Sequence, residues 1–214
     1  MIKVLVAYDN EDERLGNYFD SCKLDVCATI SSEESSEIDF ELIEIASRQC
    51  NRAFLDLLPK QVKKNPFLLI VYAHGNEEAI RVNGTSFIRI GEDNEMFKDT
   101  VIYSTACLTG KLLGKELVGN GCKAFIGYDG QIVAFKDTRQ DISIKCDNLG
   151  ITMFLTSDIT ISEAFDQMKK YYTQESQKLL SFNDILASGL LINARESLVF
   201  HGNPDITRND LVYH

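Results

Sequence analysis

Two residues in this sequence have the types and positions needed for acyl-transfer chemistry. His74 follows the apolar run in FLLIVYAHG, and Cys107 follows the apolar run in TVIYSTAC. In an open parallel sheet, ligands and catalytic groups collect just beyond the carboxyl ends of the strands. The interval between the two residues is long enough for a hairpin and a crossover. The sequence therefore predicts that His74 and Cys107 meet at one edge of a sheet.

Cysteine and histidine together suit nucleophilic attack on an acyl carbon. The pKa of a thiol, about 8.5 in free cysteine, falls at a helix N-terminus or beside an imidazolium. We expect both influences at Cys107, because a helical pattern begins at Leu108. His74, with an ordinary pKa of about 6.5, can take the thiol proton or protonate a leaving amine. Gly75 has no Cβ, so its amide and that of Cys107 are predicted to hold an oxyanion, a donor being worth roughly 3 kcal/mol.

Each residue alone has a structural explanation. A histidine at a strand end can bond a nearby carbonyl, and a lone cysteine there is usually a small buried hydrophobe. Of the remaining candidates, His201 lies in a terminal strand, His214 ends the chain, and Cys122 is expected to pack in the core. The three histidines are dispersed and give no metal-ligand spacing. No metal and no other cofactor is predicted.

Apolar runs alternate with helical patterns along most of the chain. This alternation predicts an α/β fold with a mainly parallel sheet and helices on both faces. For 38–45 a strand is favoured, although Leu42, Ile45 and Ala46 also fit a helical face. Strands are predicted at 2–8, 38–45, 67–72, 101–105, 124–128 and 198–201, and helices at 50–64, 108–118, 162–178 and 182–195.

Three connecting segments have patterns of their own. Asn83-Gly84 separates two alternating runs and predicts a tight hairpin turn, since this pair readily adopts positive φ. The polar stretch SSEESSE at 31–37 predicts a solvated loop. Residues 131–148 mix charges with isolated apolar residues, which is typical of a long irregular excursion that builds a binding loop.

Composition limits the function classes. The chain has 214 residues, 44% of them apolar, which suits a single domain over 1–214. Its 32 acidic and 22 basic residues give a net charge of −10. That balance disfavours nucleic acid as a partner and suits a basic one. No apolar run approaches the length of a membrane span, and six scattered cysteines without a C-x-x-C pair indicate reduced thiols. We expect a cytoplasmic protein with no membrane partner.

Several segments carry a family likeness. LLIVYAHGN, EEAIRVNGTSFIRI, TVIYSTACLTGKLLGKELVGNGCKAFIGYDG and LVFHGNPDI follow one another in this order. The set resembles the core of the caspase-like cysteine peptidases, the clan of caspases, gingipains and clostripain, and within it the bacterial CHAT and gingipain-like branch. The likeness runs from about Phe67 to Ile206. It implies a three-layer caspase-like fold with a small β-hairpin after the His-Gly strand.

The resemblance also implies an activity. His74 and Cys107 would form the catalytic dyad, and the amides of Gly75 and Cys107 would form the oxyanion hole. The implied function is that of a cysteine endopeptidase acting on a protein or peptide substrate. Many members of the family need processing or a second component, so an activating protein is a further expected partner.

Substrate specificity has no obvious source at the usual position. Relatives specific for arginine or lysine have an acidic residue two places before the cysteine, whereas this chain has Thr105. The alternative sources are Asp9 and Asp12 after the first strand, and Asp129 after the strand that follows Cys107. Aspartates at such places are more often turn residues. If they line the substrate pocket, they predict a basic residue before the scissile bond.

Three function classes remain open. The first is a peptidase that acts as a regulated effector in a bacterial defence pathway. The second is a catalytically silent caspase-like protein-binding module, against which the intact His74 and Cys107 argue. The third is a nucleotide- or flavin-binding domain, but the first strand is followed by YDNEDE, which would repel phosphate and contains no glycine-rich loop.

Overall fold

The structure is a computed structural model that describes residues 1–32, 38–57, 65–92 and 94–213. The elements, in chain order, are β1 (Ile2–Tyr8), α1 (Gly16–Ser32), β2 (Phe40–Ala46), α2 (Arg52–Leu57), β3 (Leu68–Tyr72), β4 (His74–Gly75), β5 (Ala79–Val82), β6 (Thr85–Arg89), β7 (Val101–Ser104), α3 (Leu113–Gly119), β8 (Ala124–Tyr128), α4 (Gln140–Thr156), α5 (Ile161–Ser181), α6 (Ile185–Ser197) and β9 (Leu198–Gly202). Short 3₁₀ helices lie at Ser47–Gln49, Glu95–Phe97 and Arg208–Leu211.

The main sheet has six strands in the order β2-β1-β3-β7-β8-β9. The pairs from β2 to β8 are parallel, and β9 runs antiparallel to β8 at the edge. All seven residues of β1 are buried, as are all five of β3 and of β8. Strands buried on both faces read as continuous apolar runs, which is the pattern that identified them in the sequence.

Helices cover the sheet on both faces. Along β1, Val4 and Val6 face a core that includes side chains of α1, α4, α5 and α6. The alternate residues Leu5 and Ala7 face a second core, with side chains of α2, α3 and the β5–β6 hairpin. Each large apolar side chain buried there contributes about 1.5–3 kcal/mol relative to exposure. The predicted three-layer α/β fold is confirmed.

A three-stranded antiparallel sheet, β4-β5-β6, leaves the main sheet after β3. Its hairpin turns at Asn83 and Gly84, whose φ angles are 48° and 73°. Both angles lie in the left-handed region that asparagine and glycine tolerate best. The predicted hairpin is therefore confirmed, and its first strand consists of His74 and Gly75.

Two helices differ from the sequence prediction, and α1 (Gly16–Ser32) was not predicted at all. The predicted helix at 108–118 begins only at Leu113. Leu108 takes a φ of 66°, and instead of starting a helix the Leu108 amide donates to the Gly130 carbonyl and the Gly110 amide to the carbonyl of Tyr128, the last residue of β8. The irregular excursion predicted for 131–148 is wrong in its second half, where α4 starts at Gln140.

Two predictions extend beyond the part of the chain that the structure describes. The first two residues of the predicted loop at 31–37 belong to the end of α1, and residues 33–37 lie outside the described ranges. The predicted helix at 50–64 is represented by α2, and residues 58–64 also lie outside them. Throughout the described ranges, every helix is too short or too polar to traverse a bilayer.

Candidate active site

His74 and Cys107 leave the same edge of the main sheet. They follow β3 and β7, which are parallel neighbours and pair as far as Val71 and Ser104. The pairing continues past the strands, because the Thr105 amide donates to the Val71 carbonyl at 3.0 Å. Parallel neighbours necessarily end side by side, so the two predicted residues arrive at one place.

Gly75 packs directly against the cysteine segment. A Cβ added to Gly75 would lie 2.7 Å from Thr109 Cγ2, 2.8 Å from Ala106 Cβ and 2.9 Å from the Cys107 carbonyl oxygen. These separations are too short for ordinary carbon contacts, so a larger residue would push β4 away from the Cys107 loop. Glycine at this position is what lets the backbones of the two segments touch.

A cavity of about 30 Å³ lies where these segments meet, and we call it the Cys107 cavity. Of the residues predicted for the site, His74, Cys107 and Thr105 line it together. A volume of about 10–15 Å³ holds one water molecule, so the cavity has room for about two such groups. Its full lining is Leu15, Tyr18, Phe19, Ala73, His74, Thr105, Cys107, Ile132, Ala134 and Asp147.

We call His74 and Asp12 the rim of the Cys107 cavity: His74 lines the cavity, and Asp12 contacts His74 from outside the lining. The His74 side chain is 45% exposed, and its Nε2 lies 3.1 Å from Asp12 Oδ2. The Phe19 ring meets the imidazole edge-on, with 5.5 Å between ring centroids. Because a carboxylate accepts only, the pair assigns the proton of neutral His74 to Nε2. Nδ1 is then the basic ring nitrogen.

Asp12 is itself held by the chain. Its Oδ1 accepts the amides of Leu15 at 2.6 Å and Arg14 at 2.9 Å. Partial burial acts to raise the pKa of Asp12, but these two amides and the neighbouring His74 bring it below its ordinary value. Asp12 therefore stays ionised and fixes the imidazole, a role that its predicted place at the pocket edge did not suggest.

The Cys107 sulfur is half-buried beneath residue 132. The Ile132 amide donates to Sγ at 3.4 Å, and Sγ lies 3.8 Å from the Ile132 carbonyl oxygen. Burial raises the pKa of the Cys107 thiol, the Ile132 amide opposes this, and the charge of Asp147 adds to it. The predicted lowering by a helix N-terminus is wrong, because α3 begins six residues further on, at Leu113.

The Cys107 amide differs from its neighbours in its hydrogen-bond partner. The amides of Thr105, Ala106 and Leu108 donate to acceptors in other residues, whereas the Cys107 amide meets no backbone carbonyl among the described residues and donates to its own Sγ. The positive φ of Leu108 costs a non-glycine residue about 1–2 kcal/mol. Strain of this kind persists where the surrounding structure over-determines it.

The remaining predicted site residues have other surroundings. Asp9 is 2% exposed, and its oxygens accept from the Ser47 hydroxyl and the Asn83 amide, both at 2.8 Å. Thr105 is buried, with its Oγ1 3.5 Å from the Val71 carbonyl oxygen. Asp129 is half-buried after β8. Neither Asp9 nor Asp129 is among the described residues that line the Cys107 cavity.

Sequence reasoning missed the floor of the cavity, where Asp147 and Tyr18 belong to the lining, and the contacts of Asp147 with Tyr128 and Tyr172 behind it. Asp147 Oδ1 accepts the hydroxyls of Tyr128 at 2.7 Å and Tyr172 at 2.6 Å, and Oδ2 accepts that of Tyr18 at 2.5 Å. The apolar residues Ile144, Ile151 and Phe154 lie on one face of α4 and could have identified the helix. No local signal in the sequence links Asp147 to the tyrosines.

Comparison with known proteins gives a likeness in structure. No protein-family model matches the chain, and no curated protein does. Among solved structures, the chain is similar to an inactive zymogen C11 protease from Parabacteroides distasonis, with a TM-score of 0.51 and 14% identity. The match covers 81% of this chain and 59% of the other. At this identity the likeness concerns the fold, which is the caspase-like arrangement of a mainly parallel sheet between helices.

Proposed function

We propose that this chain is a cysteine peptidase with Cys107 as nucleophile and His74 as its acid–base partner. One observation carries the proposal. The two residues line a single cavity at the carboxyl ends of adjacent parallel strands, in a fold like that of a solved cysteine protease. A silent binding module would have no need for a thiol and an oriented imidazole in one place.

The proposed reaction has two steps. Nδ1 of His74 takes the thiol proton as Cys107 Sγ attacks the carbonyl carbon, and the amides of Cys107 and Gly75 hold the oxyanion. The C–N bond then breaks, the leaving amine takes the proton from His74, and a thioester remains on Cys107. Water, deprotonated by His74, attacks the thioester, releases the carboxylic acid and restores the thiol. Asp12 holds the imidazole throughout.

The resting arrangement supports a need for activation. The backbone of Ile132 contacts the sulfur on which a substrate carbonyl must bind, and the Cys107 thiol has a raised pKa. Displacing residue 132 would free Sγ, and we propose that processing or an activating protein does so. The similar C11 structure is itself described as an inactive zymogen. The family likeness extends the proposal to a regulated effector that cleaves a protein partner in the cytoplasm of a bacterium.

The test is a peptide-library cleavage assay that compares the protein with Cys107→Ala, each before and after limited proteolysis to relieve the block by residue 132. Cys27→Ala is the matched control, since it removes a buried thiol on α1 that does not line the cavity. A peptidyl acyloxymethyl ketone, applied in parallel, should trap Cys107 covalently in the processed protein. Cleavage and trapping are expected to vanish in Cys107→Ala and to persist in Cys27→Ala. Cleavage that survives in Cys107→Ala would refute the assignment.

A further inference from the structure

Most arginine side chains in this protein have an acceptor within the chain, but those around His74 do not. The guanidinium groups with an ion pair or a hydrogen bond are those of Arg48, Arg52, Arg139, Arg195 and Arg208. The remaining three have neither among the described residues, and they are Arg14, Arg81 and Arg89. They belong to the two segments that flank His74, the turn after β1 and the β5–β6 hairpin. In a chain with 32 acidic residues, these three guanidinium groups stay available for an external anion.

Arg81 is the cross-strand neighbour of His74. The two residues lie opposite each other in the antiparallel pair β4–β5, and Ser86 lies opposite Arg81 on β6. Opposite residues of antiparallel strands project from the same face, with Cβ atoms about 4.5–5.5 Å apart. His74 and Arg81 are both exposed, whereas Ile80 and Val82 face the core. The Arg81 side chain therefore leaves the sheet one strand away from the imidazole, on the solvent side.

The order of the segments on this face gives the direction of a bound substrate. Gly75 of β4 touches the Cys107 segment on one side, and β5 pairs with β4 on the other. In the proposed reaction the acyl carbon bonds to Cys107 Sγ, and the leaving amine takes its proton from His74. The part of the substrate that departs with the amine therefore extends from His74 toward β5. Arg81 projects from β5 at that place.

We propose that Arg81 binds the carboxylate of an acidic residue directly after the scissile bond, on the leaving-group side. This rests on the proposed peptidase function and names a substrate preference of the same site. A guanidinium is planar and can hold a carboxylate through two parallel N–H donors. The hydroxyl of Ser86, opposite Arg81 on β6, is a further donor on the same face. The preference is separate from the choice of residue before the bond.

The charge of the rest of the protein restricts this preference to one place in the substrate. A net charge of −10 repels an acidic peptide at long range. The Asp12 carboxylate lies on the other side of His74, where it accepts from Nε2. An acidic residue is therefore favoured only where its carboxylate reaches Arg81 directly. Acidic residues elsewhere in the peptide should be neutral or unfavourable.

Arg89 provides a matched control for the structural explanation, in which an exposed arginine only keeps the surface solvated. It is exposed and has no acceptor among the described residues, and it belongs to the same small sheet as Arg81. It lies opposite Ala79 instead of the strand that contains His74. If the arginines only solvate the surface, Arg81→Gln and Arg89→Gln should behave alike. The proposal predicts that only Arg81→Gln changes the response to a carboxylate.

The first experiment needs no turnover of a substrate. Cys107 is alkylated with iodoacetyl-glutamate amide and with iodoacetyl-glutamine amide, before and after limited proteolysis, and each rate is divided by that with N-acetylcysteine. The glutamate reagent is expected to react about three- to tenfold faster at low salt, because a carboxylate pairs with Arg81, and to lose this advantage at high salt. The advantage should disappear in Arg81→Gln and persist in Arg89→Gln. Equal corrected rates in the wild type, or an advantage that survives in Arg81→Gln, would overturn the proposal.

The second experiment reads the residue after the scissile bond in a peptide library cleaved by the processed protein. For matched peptides we expect glutamate there to exceed glutamine by about three- to tenfold in kcat/KM. The preference should be lost in Arg81→Gln, be kept in Arg89→Gln and change to a preference for lysine in Arg81→Glu.

The two experiments separate the failure of the Arg81 site from the failure of the peptidase function. Cleavage that depends on Cys107 but has no acidic preference, or keeps that preference in Arg81→Gln, would leave the peptidase standing and overturn the Arg81 site. An Arg81-dependent difference between the two alkylating reagents, with no cleavage of any peptide, would support the Arg81 site and remove the peptidase function.

Discussion

The rim and the floor of the Cys107 cavity each contain an aspartate, in opposite surroundings. Asp12 at the rim accepts backbone amides and an imidazole, and its pKa lies below the ordinary value. Asp147 at the floor is fully buried among phenols, and its pKa lies above that value. The Asp12 carboxylate at the rim is thus stabilised in its ionised form. The Asp147 carboxylate at the floor has no cation beside it among the described residues, and burial disfavours its ionised form.

The difference indicates what each aspartate is suited to do. A carboxylate that is already stabilised by hydrogen bonds holds a neighbouring group in place, and a further ligand stabilises it little. A buried carboxylate without a cation is stabilised by any cation that reaches it, because the ion pair offsets part of the free energy of desolvation. We infer that Asp12 holds the imidazole of the proposed dyad in place and that Asp147 ties α4 to the three tyrosines.

The largest expected effect is a fall in kcat/KM when the imidazole of His74 is removed. His74→Ala should lower kcat/KM by about 10²–10⁴-fold, since it removes both the base and the acid. The side chain is nearly half exposed, so the melting temperature should change little. Steady-state kinetics with a cleaved peptide, alongside thermal unfolding, measure the two quantities. A variant that kept wild-type kcat/KM would remove the rim from catalysis.

The floor should dominate stability as the rim dominates activity. Asp147→Ala leaves three buried phenols without their acceptor, and we expect a loss of about 3–5 kcal/mol in the free energy of unfolding. Asp12→Ala, the matched change at the rim, removes a partly solvated pair and should cost about 1 kcal/mol or less. Urea unfolding of both variants provides the comparison. Equal losses would mean that the two aspartates do not differ in the way described.

Thiol labelling tests the cysteine that lies between rim and floor. Because the Cys107 pKa is raised by burial, its alkylation by iodoacetamide should grow about tenfold per pH unit through the neutral range. Cys27 and Cys122, whose pKa values burial raises to about 11, should remain unlabelled until the protein unfolds. Mass spectrometry of the digested protein identifies the labelled site. Earlier labelling of Cys122 would contradict the assignment of Cys107.

The smallest effects are opposite pH dependences of stability. The folded-state pKa of Asp147 is raised, so its contribution is fully present below the ordinary value of 3.8 and is lost as the pH rises through the folded value. That of Asp12 is lowered, so its contribution is present above 3.8 and is lost as the pH falls through the folded value. Each unit of pKa difference corresponds to about 1.4 kcal/mol. Urea unfolding between pH 3 and 7, for Asp147→Asn and Asp12→Asn against wild type, should give slopes of opposite sign.

The rim and the floor also differ in how far the sequence could predict them. His74 and Cys107 end strands whose apolar runs are unmistakable, so parallel pairing alone was enough to predict their shared edge. The pairing of Asp12 with His74 was not predicted, because it depends on the loop that turns back before α1. The floor depends on α1 and α4, of which one was not predicted and the other was taken for a loop.

The segment that follows Cys107 could also be predicted only in part. The apolar spacing after the cysteine correctly indicated a helix, but its start was misplaced from Leu113 to Leu108. The reason is tertiary, since the amides of Leu108 and Gly110 donate to carbonyls at the end of β8 and just after it. Such contacts override the intrinsic preference of a short segment. Because the helix starts later than predicted, the predicted lowering of the Cys107 pKa by a helix dipole was wrong as well.

The distance in sequence between the floor residues has a consequence for synthesis on the ribosome. Tyr18 and Asp147 are 129 residues apart, and His74 and Asp12 are 62 apart. A nascent chain therefore exposes Cys107 before residue 147 has emerged to close the cavity beneath it. At a synthesis rate of about 5–20 residues per second, the thiol spends seconds without its floor. The cavity beside Cys107 is thus complete only after α4 has been synthesised.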